Sequence, residues 1–378
     1  MNRIYFDHNA TTPIDPLVRA ALVAALDEPA GNASSLHRFG QRARAAIDDA
    51  RGDVAALVGG APAEIVFTSG GTESDNFALR GALRAAEPSR RRLLFTAIEH
   101  HAVLNAAKAL GREGFEVESV RARPDGTCDL EDLGRRLDER VALVAVMLVN
   151  NETGVIQPVA EAARLAKAQG ALVHCDAVQA AGRVAIDVGA LGVDTLALSA
   201  HKLHGPQGTG ALWIRRGTRL VAWLAGGGQE RNRRAGTENV AGIVGFGCAA
   251  RLARERMGED VPRIAALRDR LEAALLALPG ARRNGDGPRV ANTTNVSFDG
   301  TYAEGLLMAL DLDGVAVSTG AACAAGAVEP SHVLRAMGLP PARVESSLRF
   351  SLGRGNTEAE VDEAVAKLAK AVEKQRRR

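Results

Sequence analysis

The chain is poor in lysine. Of its 47 basic residues six are lysine and the rest arginine, so its positive charge is carried almost wholly by guanidinium groups, which neither lose their proton nor condense with a carbonyl. Cysteine is equally sparse: Cys128, Cys175, Cys248 and Cys323 show no paired spacing and no zinc-like pattern. That argues against a disulfide framework and for free thiols in a reducing compartment. The longest wholly apolar run, Val141 to Val149, is nine residues, far short of a membrane span and suited to a central strand. No apolar core of signal-peptide length follows Met1-Asn-Arg-Ile-Tyr-Phe-Asp-His-Asn-Ala-Thr-Thr, so the expected location is the cytoplasm. The formal net charge of +2 comes from 47 basic and 45 acidic residues in mixture, which gives no reason to expect a nucleic-acid or membrane partner. Walker-type Gly-Lys-Ser/Thr, internal repeats and low-complexity linkers are all missing.

What is present is strand and helix in alternation. Strands are expected at Glu64 to Phe67, Arg92 to Ala97, Phe115 to Val120, Val141 to Val149, Ala171 to Cys175, Thr195 to Leu198 and Ala211 to Ile214, with helical patterns between most of them. Such alternation predicts an α/β fold with a largely parallel seven-stranded sheet covered by helices. From about residue 250 the pattern changes to a long helix, Leu252 to Leu278, a boundary marked by Gly and Pro, and then strands near Thr294 to Phe298 and Leu348 to Leu352 with further helices. The predicted organisation is a large domain over 15–250 and a smaller α+β domain over 251–378, with 1–14 packing on the small one.

Five of the lysines, Lys108, Lys167, Lys367, Lys370 and Lys374, lie in Ala-, Leu- and Glu-rich stretches that read as solvated helix faces. Lys202 differs. It follows the strand-like run Asp194-Thr-Leu-Ala-Leu-Ser199 and precedes the turn Gly205-Pro-Gln-Gly-Thr-Gly, and a lone amine at a strand end is a candidate catalytic group. Thr68-Ser-Gly-Gly-Thr-Glu also follows a strand and opens a helix, which makes either an anion site at Gly71 and Thr72 or a simple helix cap. Asp176 at the end of its strand is either a ligand-facing carboxylate or an N-cap, and His100 and Asn151 are turn residues or site residues. Gly245-Phe-Gly-Cys-Ala-Ala formally matches a dinucleotide fingerprint, but a capped helix, not a first strand, precedes it. Thr72, His100, Asn151, Asp176 and Lys202 all follow strands at the same end of one expected sheet, and that convergence favours a site.

Nearly end to end, these segments resemble the cysteine desulfurases of the class V aminotransferase family, in the branch used for iron-sulfur assembly. The likeness is carried by Gly31-Asn-Ala-Ser-Ser-Leu-His, Thr68-Ser-Gly-Gly-Thr-Glu, Asn150-Asn-Glu-Thr-Gly, Asp176-Ala-Val-Gln, Ser199-Ala-His-Lys, Gly226-Gly-Gly-Gln-Glu-Arg, Arg234-Ala-Gly-Thr-Glu-Asn, Ser318-Thr-Gly-Ala-Ala-Cys and Leu348-Arg-Phe-Ser-Leu-Gly-Arg. The resemblance implies a fold-type I pyridoxal-phosphate (PLP) transferase. It implies Lys202 as the Schiff-base lysine, Asp176 on the pyridine nitrogen, His100 stacked on the ring, and Asn151 and Gln179 on the ring hydroxyl. Gly71, Thr72, Ser199 and His201 would hold the phosphate, with Thr237 reaching over from a second subunit of a homodimer. Arg349, assisted by Asn9, is the candidate for the substrate carboxylate, and Arg354 is its rival.

Cys323, in a stretch of small residues, reads unaided as either a buried hydrophobe or a nucleophile. The resemblance makes it the persulfide-forming residue of a reaction that converts L-cysteine to L-alanine, and a transient iron-sulfur ligand; no metal is implied for catalysis. A sulfur-acceptor scaffold or carrier is the implied partner. The rival readings are a selenocysteine lyase or class V aminotransferase and a non-enzymatic module that docks sulfur-handling proteins. Gln207, His8, His101 and the Ala-Ala after Cys323 depart from the family's usual pattern.

Overall fold

The computed structural model describes residues 3–29, 31–320, 323–324 and 327–377, with the backbone alone at 323–324 and 327–328. After a short strand, β1 (Ile4–Tyr5), come the seven strands of the main sheet: β2 (Ile65–Thr68), β3 (Arg92–Thr96), β4 (Glu116–Val120), β5 (Val141–Ala145), β6 (Leu172–Asp176), β7 (Thr195–Ser199) and β8 (Gly210–Ile214). Their order is β2-β8-β7-β6-β5-β3-β4. β8 runs antiparallel to both its neighbours, and all other pairs are parallel. Side chains alternate between two apolar layers: in β8, Ala211 and Trp213 pack in one, Leu212 and Ile214 in the other. A strand buried on both faces reads as a continuous apolar run, which is how β5 and β7 look in the sequence.

The nine-residue run Val141 to Val149 is strand only as far as Ala145. Beyond it the backbone leaves the ladder with β3 but still bonds to β6, through Val146 N to His174 O at 3.0 Å and Leu148 N to Asp176 O at 2.8 Å. The run therefore ends by delivering Asn150 and Asn151 to the rim of the sheet.

The long helix also differs from expectation. It spans Val240–Leu276, so the capped start at Asn239 and the Arg/Ala/Leu stretch form one element. Its first half, with Phe246, Ala249 and Ala250, packs on the main sheet's core, and its second half, with Leu267, Leu271 and Leu275, packs in a separate core. Gly245 and Gly247 sit buried inside it, where Gly247 lets the backbone of Ala50 approach; an added Cβ would stand 2.6 Å from Ala50 Cα. The fingerprint-like glycines thus serve helix packing.

The second core gathers around β9 (Ala281–Arg283), β10 (Thr293–Phe298) and, after the short β11 (Val315–Ala316), β12 (Cys323–Ala324) and β13 (Ala327–Val328), the strand β14 (Ser347–Ser351). β14-β10-β9 form an antiparallel sheet, backed by the helices Ala303–Leu312 and Glu358–Arg376. Ile4 and Phe6 belong to this core, with β1 parallel to β11. Among the described residues no helix is long and apolar enough to cross a membrane.

Candidate active site

At the carboxyl ends of β5, β6 and β7 and the start of the helix Gly71–Ala85 lies a pocket of about 200 Å³, lined by Gly71, Thr72, His100, Asn151, Asp176, Gln179, Ser199, His201 and Lys202. The crevice beyond the carboxyl ends of parallel strands is where such sheets bind ligands. The sequence pointed to each of these residues. Asp75, Met147 and Val178 complete the lining.

Each elbow has a local cause. β6 ends at Asp176, whose Oδ1 accepts the Val178 N–H at 2.9 Å, so the carboxylate both turns the chain and lines the pocket. β7 ends in the single turn Ala200–Lys202, which lifts Ser199, His201 and Lys202 onto the rim. His100 caps the helix His101–Arg112, its Nδ1 accepting from Ala102 N at 3.2 Å. Asn150 is spent on its loop, donating to Ile98 O and accepting from the N–H groups of Glu152 and Thr153, and Asn151 is left to face the cavity. In the helix Gly71–Ala85 the cap position is Gly70, without a side-chain bond. Neither Thr72 nor Ser74 closes the first turn; Ser74 Oγ instead bonds Thr68 Oγ1 at 2.8 Å. A Cβ at Gly71 would meet Val178 Cγ2 at 2.7 Å, so glycine keeps the space between the helix start and Ser199 open.

Lys202 Nζ donates to the carbonyls of Asn9 at 2.5 Å and Ala10 at 2.7 Å. Burial, then the like charges of Arg183 and Arg349, pull its pKa down to about 7, against the opposing pull of Asp7 and Asp176. At neutral pH a large fraction of this amine is therefore a free nucleophile. Burial raises Asp176 to about 6, although the Val178 N–H and Lys202 work in the other direction. His100 opens onto the cavity, yet the crowded walls, then Lys202, His101 and His332, hold it down to about 4. His201 is likewise lowered to about 4, by burial and then Lys202. Both imidazoles are neutral at physiological pH.

Beneath the pocket stand acids that sequence reasoning missed. Asp75, 1% exposed, accepts from or donates to His174 Nε2 at 3.0 Å, and His174 Nδ1 contacts Thr195 Oγ1 at 2.9 Å. Burial raises Asp75 well above the usual carboxylate range and lowers His174 to about 3. Glu99 is fully buried, its Oε1 accepting from Thr96 and Met147 while Oε2 has no partner among the described residues. The only signal for these was position: His174 shares the period-two face of Asp176.

The small core and the N-terminal segment meet this lining from outside the cavity, bonding to Asn151 and Lys202, and form the other wall of the site. Arg349 on β14 is 4% exposed; its NH2 pairs with Asp7 Oδ1 at 2.6 Å, its NH1 donates to Asn151 O at 3.0 Å, and its buried Nε has no partner among the described residues. Arg354 is committed elsewhere, to Asp15 at 3.0 Å and Asp260 at 2.7 Å. The Asn9 side chain is also spent, donating to Asn151 O and Thr293 Oγ1 and accepting from Asn292; what it turns to Lys202 is its carbonyl. Thr237 is not brought to this pocket; it is exposed in a separate cleft with Phe67, Ser69, Gly208 and Arg234. Cys323 stands in β12, paired with Val328 across a two-strand ladder, and its side chain lies outside the described residues. The segment leading to it is tied to the site, because Ser318 and Arg349 exchange backbone bonds of 2.7 and 3.2 Å. Cys128, Cys175 and Cys248 are buried and pack as small hydrophobes.

The donor set fits PLP. An amine depressed to neutrality, a buried carboxylate, an open helix N-terminus beside the hydroxyls of Thr72 and Ser199, and amides at Asn151 and Gln179 match an aldehyde, a ring nitrogen, a phosphate and a phenolic oxygen in one pocket.

The family model of class-V aminotransferases matches residues 4–364. A cysteine desulfurase from Nostoc sp. strain PCC 7120 is 46% identical over 378 residues, covering 100% of this chain and 94% of that protein. Among solved structures, a NifS-like protein superposes with a TM-score of 0.91 at 38% identity, over 97% of this chain and 98% of that one. A structure described as SspA in complex with cysteine superposes at 0.82 with 31% identity, over 93% and 99%. The fold and site define a PLP-dependent enzyme, and the chain belongs to the class-V aminotransferase family.

Proposed function

We propose that this chain is a cysteine desulfurase that converts L-cysteine to L-alanine and leaves the sulfur as a persulfide on Cys323. One observation carries the reading: Lys202, packed among polar groups with no other task, in a chain that matches cysteine desulfurases along its whole length.

Bound PLP supplies a protonated ring that draws electrons away from the substrate α-carbon. The chain does the rest. Lys202 anchors the coenzyme and, once displaced by substrate, its neutral amine accepts the α-proton. Asp176 keeps the ring nitrogen protonated, and His100 packs against the ring face. The N–H groups at the helix start, with Thr72, Ser199 and His201, bind the phosphate; Asn151 and Gln179 donate to the ring oxygen. Arg349 takes the substrate carboxylate, whose planar anion its guanidinium fork matches. The Cys323 thiolate attacks the substrate sulfur: the S–S bond forms as the C–S bond breaks, the electron pair stays with carbon, and a proton completes alanine.

Thr237, apart from the pocket of its own chain, serves the phosphate of a second copy, which makes the working unit a homodimer. A sulfur-acceptor protein in the cytoplasm takes the persulfide. The domains divide near residue 250, with 1–14 on the small one. Intact mass after incubation with cysteine is the test of the chemistry. One added sulfur mapping to Cys323, with alanine released in parallel, is the expected result. A Cys323→Ala chain that keeps its colour and still makes sulfide at full rate sinks it. Sedimentation at twice the 39.6 kDa chain mass tests the dimer.

A further inference from the structure

Arg183 carries a charge that no carboxylate meets. Arg349 is paired with Asp7, Arg354 with Asp15 and Asp260, and Arg51 with Glu230. Arg183 instead donates from NH1 to the carbonyl oxygen of Gln179 at 3.2 Å and to its side-chain Oε1, with no ion pair among the described residues. It borders a small chamber between the two cores whose wall also includes Lys202, His8, His204 and Arg354. Lys202 thus separates this chamber from the coenzyme pocket, since it lines both.

A guanidinium only donates. The contact with Arg183 therefore settles which way the Gln179 amide points: Oε1 toward Arg183, Nε2 toward Asn9 O at 2.9 Å. The same Asn9 carbonyl accepts from Lys202 Nζ. A chain of contacts runs from Arg183 through Gln179 and Asn9 to the amine.

We propose that Arg183 is a positioning residue of the active site, locking the Gln179 amide as a donor to the Asn9 carbonyl that also accepts from Lys202, and standing as a cation beside the Lys202 amine in the chamber they share. This rests on Lys202 being the coenzyme-bearing lysine. Burial, then Arg349, lowers Arg183 to about 10, so it remains charged at neutral pH. The groups facing Lys202 are Arg183 and Arg349 of like sign, Asp7 and Asp176 of opposite sign, and the neutral His100 and His201. Burial lowers the amine most, and Arg183 is the largest of the charges acting with it. Removing that charge leaves the two carboxylates less opposed, so the amine should hold its proton to higher pH.

Six lysines make the test direct. In the full chain freed of coenzyme and labelled with 13C-lysine, the Lys202 Cε resonance, assigned through Lys202→Arg, is followed against pH. The wild-type midpoint should fall near 7. In Arg183→Gln it should rise by about one unit, and the Gln179 side-chain amide resonances should broaden as the amide becomes free to turn. Arg183→Lys should restore the midpoint by restoring the charge. A midpoint unmoved in Arg183→Gln overturns the proposal, and so does a wild-type midpoint at lysine's ordinary value, which needs no variant to fold. A failure of the coenzyme assignment shows separately, as wild-type protein that develops no near-violet absorption when PLP is added.

Discussion

The two walls of the site are built on different principles. On the main-sheet wall, Thr72, His100, Asn151, Asp176 and Lys202 each stand at the end of a strand or a few residues past it, so one geometric rule, the shared carboxyl edge of parallel strands, brings them together. On the small-core wall nothing is shared: Arg349 comes from the middle of an antiparallel strand, and Asn9 and Asp7 from the N-terminal segment. The first wall is rigid because the sheet beneath it is buried on both faces. The second is held by polar bonds across the cores, such as Arg349 to Asp7 and to Asn151 O. The difference suits the division of labour: a coenzyme must be held still, whereas substrate and sulfur must come and go.

The largest expected effect tests the first wall. Lys202→Ala removes anchor and base at once, so cysteine turnover should fall on the order of 10⁴-fold, the upper end of what general base catalysis supplies. Free PLP should still bind, through Asp176 and the helix start, without the Schiff-base band. Restored turnover on adding a small primary amine would sharpen the point that the wall itself is preorganised. Turnover within tenfold of wild type in an amine-free buffer would place the essential amine elsewhere.

Next in size is the second wall. Arg349→Gln loses the charge-assisted fork, which should raise KM for cysteine by roughly 10- to 100-fold while the Schiff-base spectrum stays unchanged. If instead the spectrum shifts and KM does not, the arginine belongs to the coenzyme wall and the contrast drawn here fails.

The contrast also explains what could be read from the sequence. Strand ends are visible as apolar runs that stop at Asp176, Ser199 or Asn150, so the first wall was legible, as were all seven strands of the sheet to within a few residues. The single helix Val240–Leu276 was read in two pieces because its outward pattern changes where it passes from one core to the other. Asn9 was expected to offer its side chain and offers its carbonyl, a group common to every residue that no side-chain pattern can reveal. The acids under the floor were hidden for a related reason. Asp75 and Glu99 sit in stretches that serve equally as helix and turn chemistry, and only the packing shows that they are fully buried.

The smallest effect concerns that floor, and it is a stability effect. Burial raises Glu99 from 4.5 to about 8, with Asp176 pushing the same way and the bonds from Thr96 and Met147 N–H opposing. A carboxyl whose folded pKa lies above its unfolded one contributes stability that is whole below the unfolded value and is lost as pH rises through the folded one. For Glu99 the loss runs from about 4.5 to about 8. Lys202 has the opposite sign, since its folded value near 7 lies below the ordinary 10.5, and it changes nothing below the lower value. The lowered histidines, whose contribution rises with pH between about 4 and 6.5, act inside that window too, so Glu99 is isolated by comparing wild type with a variant that shares them. Glu99→Gln keeps an acceptor for Thr96 Oγ1 and Met147 N but has no proton to lose. Its melting temperature should match wild type near the acid end of the window and exceed it by a few degrees near the alkaline end. Parallel melting curves across the window would mean that Glu99 is already ionised in the folded chain and that some group on the small-core side neutralises it.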